Sequence, residues 1–93
     1  MNQDAAETIA LQALGYIAAD PESLEGLMAS TGIGPDSLKS AATEPGVLTG
    51  VLVGILDYLL LSDERTLAFC EFLDIQPTLP GRAWSVLTGR DLS

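Results

Sequence analysis

Ala6, Ile9, Ala10, Ala13, Leu14 and Ile17 recur three and four residues apart, the spacing that gathers side chains on one face of an α-helix. With Asp4 and Glu7 placed as a cap and its box partner, the pattern predicts a first helix over about residues 4–19. Asp20 followed by Pro21 reads as a cap and a first-turn proline. The second helix then carries Leu24, Leu27 and Met28 and stops at Gly32, a residue suited to the left-handed backbone of a helix C-terminus. Pro35 opens a short third helix through Leu38 and Ala42. Glu44 and Pro45 force the next break, because a residue before proline avoids the helical region, and a fourth helix runs on to about Leu61. Ser62 to Arg65, "SDER", supplies a cap for a fifth helix that turns Leu67, Cys70 and either Phe69 or Phe72 inward. "PTLPG" precedes a last short helix around Trp84 and Leu87. No stretch asks to be a strand. The expected fold is all-α: one domain over residues 1–93, an orthogonal bundle of five to six short helices around a central apolar helix.

That central helix is the fourth. Leu48, Leu52, Ile55 and Leu59 mark one side of it, and Gly46, Gly50 and Gly54 form a stripe on the other. Glycine in a helix interior costs ~1 kcal/mol relative to alanine, so a second helix is expected to approach the backbone closely at Gly50 and Gly54. The contact is either packing within the monomer or a dimer or ligand surface. Asp57, one turn beyond Gly54 and near Val53 and Leu61, sits at the solvated edge or is partly buried with a raised pKa. Trp84, between Arg82 and Arg90, closes the base of the core or anchors an interface. Gly50, Gly54, Asp57, Arg82 and Trp84 form the candidate interface set. A sparse internal echo pairs Asp20, Leu24, Ile33 and Pro35 with Asp63, Leu67, Ile75 and Pro77. It fits duplication or two similar solutions to capping.

Composition narrows the chemistry. A 93-residue chain can bury one core without disulfides or metal, and 47% apolar residues exceed what so small a domain needs, which leaves apolar surface for a partner. Cys70 stands alone, so neither an intramolecular disulfide nor a thiolate cluster can form. Set in "LAFCEFL", it reads as a core residue and not a reactive thiol, which wants cationic neighbours. The chain has no histidine, which removes the Ser/His and Cys/His nucleophiles and the commonest metal ligand. No cofactor and no metal site are expected, and an enzyme built here would rely on carboxylates alone. "MNQDAAETIALQALGYIAAD" carries Asp4 and Glu7 where a secretory signal has basic residues. The apolar run from Val47 to Leu61 contains Asp57 and falls short of the ~20 residues that span a bilayer. A cytoplasmic protein without a membrane segment is expected.

"STGIGPDSL", from Ser30 to Leu38, has the spacing of a tight corner between two helices, which DNA-binding helix-turn-helix units share. The positions that would face a groove are Pro35, Asp36, Ser37 and Ser40, with Lys39 the only cation. Phosphate and guanine contacts require Arg or Lys, and a net charge of −9 repels a phosphate backbone. The corner is a folding signal first, and no nucleic acid partner is expected.

The segments "AETIALQALGYIAADPESL", "ASTGI", "LDYLLLSDERTLAFC" and "DIQP" resemble a small all-helical bacterial family of unknown function, family 3572, common in alphaproteobacteria. The resemblance covers most of the chain up to Pro77. It implies a cytoplasmic helical protein of about this length and brings no catalytic or binding residues with it. The expected function is a non-enzymatic interaction module that docks on a protein partner or on itself. A degenerate helix-turn-helix domain, DNA-binding or regulator-associated, is the first alternative. A carboxylate enzyme or small-molecule carrier, with a pocket beside Gly50, Gly54 and Asp57, is the second; a small-molecule ligand is not the expectation.

Overall fold

In the computed structural model, which describes residues 1–90, six helices follow one another with no strand among the described residues. They are α1 (Gln3–Ala18), α2 (Pro21–Thr31), α3 (Pro35–Thr43), α4 (Pro45–Leu60), α5 (Asp63–Leu73) and α6 (Leu79–Thr88). Most boundaries follow from local backbone chemistry. Pro21, Pro35 and Pro45 each open their helix, where the missing N–H would have had no partner anyway. Gly32 and Gly89 end α2 and α6 at φ 75° and 70°, and Asp74 ends α5 at φ 56°, a left-handed conformation that a short polar side chain tolerates.

Two termini differ from expectation. Asn2, not Asp4, caps α1: its Oδ1 accepts a hydrogen bond from the Ala5 N–H at 2.8 Å. Asn2 holds the extended backbone that a cap needs, whereas Asp4 lies inside the first turn, where its charge still favours the helix dipole. Helix α6 starts within "PTLPG" and not after it, since Pro80 is compatible with the first turn.

Helix α4 touches each of the other five helices. Val51, Leu52, Ile55, Leu56, Tyr58 and Leu59 are all buried, a face too wide for a surface helix to cover. Ala6, Ala10 and Ala13 of α1 and Ala83 of α6 are fully buried, and such small side chains let neighbouring helices approach closely. The Cα radius of gyration is 12.3 Å, against about 12 Å for a single compact domain of this length. No single helix is long and apolar enough to cross a membrane, and the chain turns through 108° from α4 into α5.

In α5 the inward face is Thr66, Phe69 and Cys70. Leu67, expected inside, is 53% exposed, and Phe72 points out at 70%. The reason is a hydrogen bond: the Thr66 hydroxyl donates to the Leu59 carbonyl at 2.9 Å, which ties α5 to the end of α4 through Thr66 and leaves Leu67 a rotation of about 100° away. The internal echo is partial. A left-handed residue precedes both Ile33 and Ile75, but Asp20 caps α2 whereas Ser62, not Asp63, caps α5.

Candidate functional site

The five candidate interface residues do not form one surface. A Cβ built on Gly54 would stand 2.8 Å from Ile33 Cδ1 and 3.9 Å from Thr31 Cβ. The close approach expected of the glycine stripe is therefore made at Gly54, by the turn between α2 and α3 and not by a second helix. At Gly50 the expectation fails: a Cβ there would meet nothing within 4 Å. Beside Gly50 lies a groove of about 520 Å³ between α3 and α4, lined by Ile33, Ser37, Ser40, Val47 and Gly50. Neither Gly54 nor Asp57 lines that groove, so it does not unite Gly50 with them.

Asp57 and Trp84 are brought together. The indole N–H of Trp84 donates to Asp57 Oδ1 at 2.5 Å, which joins α4 to α6. Asp57 is exposed and Trp84 is half-buried against the core, so the carboxylate stands at the solvated edge and the indole closes the core. Arg82 faces elsewhere, into a groove of about 670 Å³ lined by Met1, Asp63, Pro77 and Val86 as well. Trp84→Phe is expected to lower stability by about 1 kcal/mol, the net contribution of one hydrogen bond. Asp57→Ala should do the same, and the double variant should melt no lower than the weaker single. Fully additive losses in thermal melts would mean that the two side chains act separately.

One close contact escaped the sequence reading. A Cβ on Gly26 would collide with the Tyr58 hydroxyl. Tyr58 is held in place by Arg65, whose guanidinium lies 4.0 Å from the ring centroid and donates to the Tyr58 carbonyl at 2.7 Å. The signal was present, since Gly26 in "LEGLM" is an interior helix glycine with the same cost as those of α4. Cys70 is 2% exposed, and burial pushes its thiol above the usual range. Below the raised value the thiol stays protonated, so at pH 8 the native protein should react with a thiol reagent at least about tenfold more slowly than the denatured chain. Equal rates would place Cys70 at the surface.

Two further recesses line the N-terminal half. Between α1, α2 and α3 an apolar notch of about 120 Å³ is walled by Leu14, Leu24, Leu27, Met28, Pro35 and Leu38; Met28 is 37% and Leu38 42% exposed. Between α1, α5 and the start of α2 lies a groove of about 450 Å³ lined by Gln12, Tyr16, Asp20, Ser23, Phe72 and Leu73. Of the corner at "STGIGPDSL", Asp36 and Leu38 are exposed, as is Lys39 just beyond it, while Ile33 is buried on Gly54. Among the described residues no three His, Cys, Asp or Glu side chains gather as a metal site would need.

No curated protein and no solved structure matches the chain. A family profile described as "Protein of unknown function (DUF3572)" matches residues 3–90, almost all of the 93, and the chain belongs to that family.

Proposed function

We propose that this chain is a non-catalytic interaction module whose docking face is the apolar notch between α1, α2 and α3, and that its partner is a protein presenting a basic amphipathic helix. The observation that carries this reading is the company the notch keeps. Met28 and Leu38 stand exposed on it, and Leu11, 53% exposed, lies one turn before Leu14 on α1. Apolar side chains gathered on a polar surface mark interaction sites. The two helices that supply most of the face, α1 and α2, carry Asp4, Glu7, Glu22 and Glu25 and no Lys or Arg. Lys39 is the single cation of α3. A basic partner is drawn by that field, whereas a second copy of a chain with net charge −9 is repelled by it. Trp84 in this reading locks α6 to α4, and Gly54 seats the α2–α3 turn that positions Leu38.

Affinity capture from a lysate of the source cell, with wild type and a Met28→Glu/Leu38→Glu variant compared side by side, tests the reading. Both positions are exposed, so the variant should melt as the wild type does. Basic proteins retained by the wild type and lost with the variant support the proposal. The same proteins on both baits would overturn it, as would concentration-dependent dimers of the wild type that the variant abolishes. Retention on duplex DNA at moderate salt, lost on Lys39→Glu, would move the function to the helix-turn-helix alternative.

A further inference from the structure

We infer that the groove between α1, α5 and the start of α2 is a second recognition point, built to take an arginine side chain from a segment of a partner protein. The inference rests on reading the chain as an interaction module, but on different residues. Aromatic rings run from the core outward: Tyr16 meets the fully buried Phe69 edge-on, with centroids 5.5 Å apart, and also meets Phe72 at 5.3 Å, tilted by 48°. Phe72 is 70% exposed, so the series ends on a ring that the fold does not cover. Covering that ring with a second molecule removes apolar surface from water and favours binding.

The carboxylate of Asp20 lines the same groove. It makes no bond to the α2 backbone that it caps, and the Ser23 hydroxyl donates to its Oδ2 at 2.8 Å, which fixes its orientation. The elements around the groove carry Asp4, Glu7, Glu22, Glu25, Asp63, Glu64, Glu71 and Asp74. Their one cation is Arg65, engaged on Tyr58. An exposed aromatic face beside an oriented carboxylate, in a negative field, matches a planar guanidinium, which stacks on the ring and directs its N–H fork at the carboxylate. Lysine fits less well, because its ammonium is more strongly hydrated and has no face to stack. The groove, about 450 Å³, is large enough for the side chain together with the backbone that carries it.

The test is an NMR titration of the full chain with an acetylated, amidated peptide that carries two arginines spaced by alanine and leucine. A lysine twin of the peptide and free arginine amide are run beside it. The arginine peptide is expected to bind saturably, with shifts centred on Tyr16, Asp20, Ser23 and Phe72. Asp20→Asn and Phe72→Ala should each weaken it about fivefold, while thermal melts show both variants folded. The lysine twin should bind at least about threefold more weakly. Absent saturation, equal affinity for the lysine twin, or indifference to both substitutions would overturn the inference. Free arginine amide binding as tightly as the peptide would overturn the assignment to a protein segment. Shifts confined to Leu24, Met28 and Leu38 would overturn it too, while leaving the α1–α2–α3 docking face in place.

Discussion

Leu52→Asp is expected to abolish the cooperative unfolding transition. Leu52 is 1% exposed on the helix that every other helix touches. Removing a buried leucine costs roughly 2–5 kcal/mol through lost transfer energy and the cavity left behind. The carboxylate put in its place must either stay ionised in an apolar interior or take up a proton, and each adds several kcal/mol. A domain of this size has a total stability of about 5–15 kcal/mol, so the two together consume most or all of it. Circular dichroism and calorimetry should show a non-cooperative melt with reduced helix content at neutral pH. Acidification should restore part of the helix content, because protonation removes the charge but not the cavity. A wild-type melt would mean that Leu52 does not lie at the centre of the core.

Gly26→Ala should destabilise the protein, against the usual rule for helices. At an open helical position alanine is better than glycine by roughly 0.5–1 kcal/mol, and Gly50→Ala, with free space beyond the new methyl, is expected to gain about that much. At Gly26 the methyl would run into the Tyr58 hydroxyl, on a ring that is 7% exposed and stacked under Arg65. Overpacking of this kind costs typically about 1–3 kcal/mol, enough to reverse the propensity gain. Tyr58→Phe in the Gly26→Ala background removes the colliding oxygen and should recover part of the loss. That recovery, read as a coupling between two sites, separates a steric cause from any general weakness of α2. If both glycine replacements raise the melt equally, Tyr58 does not crowd α2.

The two glycine substitutions show where reading the chain stops. Glycine in a helix announces that something is close or that nothing needs to be there, and the residue itself does not distinguish the cases. Gly50 and Gly54 lie on one stripe of one helix, yet a neighbour sits over Gly54 and an open groove over Gly50. The difference lies in where the α2–α3 turn lands on α4. The candidate interface set fared in the same way. Trp84 and Asp57 were each notable for their surroundings in sequence, but their mutual bond spans 27 residues, and no local pattern encodes such a pairing. The exposed aromatic end at Phe72 was legible only as one of two choices with Phe69.

What the sequence by itself determined is the set of helices and the identity of the central one. Each helix start and stop rests on groups within a few residues of one another: prolines that need no N–H, a serine whose oxygen receives the Arg65 N–H, a glycine free to turn left-handed. Such short-range chemistry is written into neighbouring positions. The centrality of α4 was legible for a related reason, since a helix that is apolar on nearly every side is stable in water only when others surround it. Tertiary structure decided which side of α5 faces inward, which glycine is covered and which apolar side chains remain at the surface. Leu67 and Thr66 state the reason most simply. By hydrophobicity Leu67 belongs inside, but Thr66 faces α4 in its place: its hydroxyl donates at 2.9 Å to the Leu59 carbonyl, which also accepts the Ser62 N–H at 3.4 Å. That bond runs between two helices, and with Phe69 and Cys70 seated in the core it holds the rotation of α5.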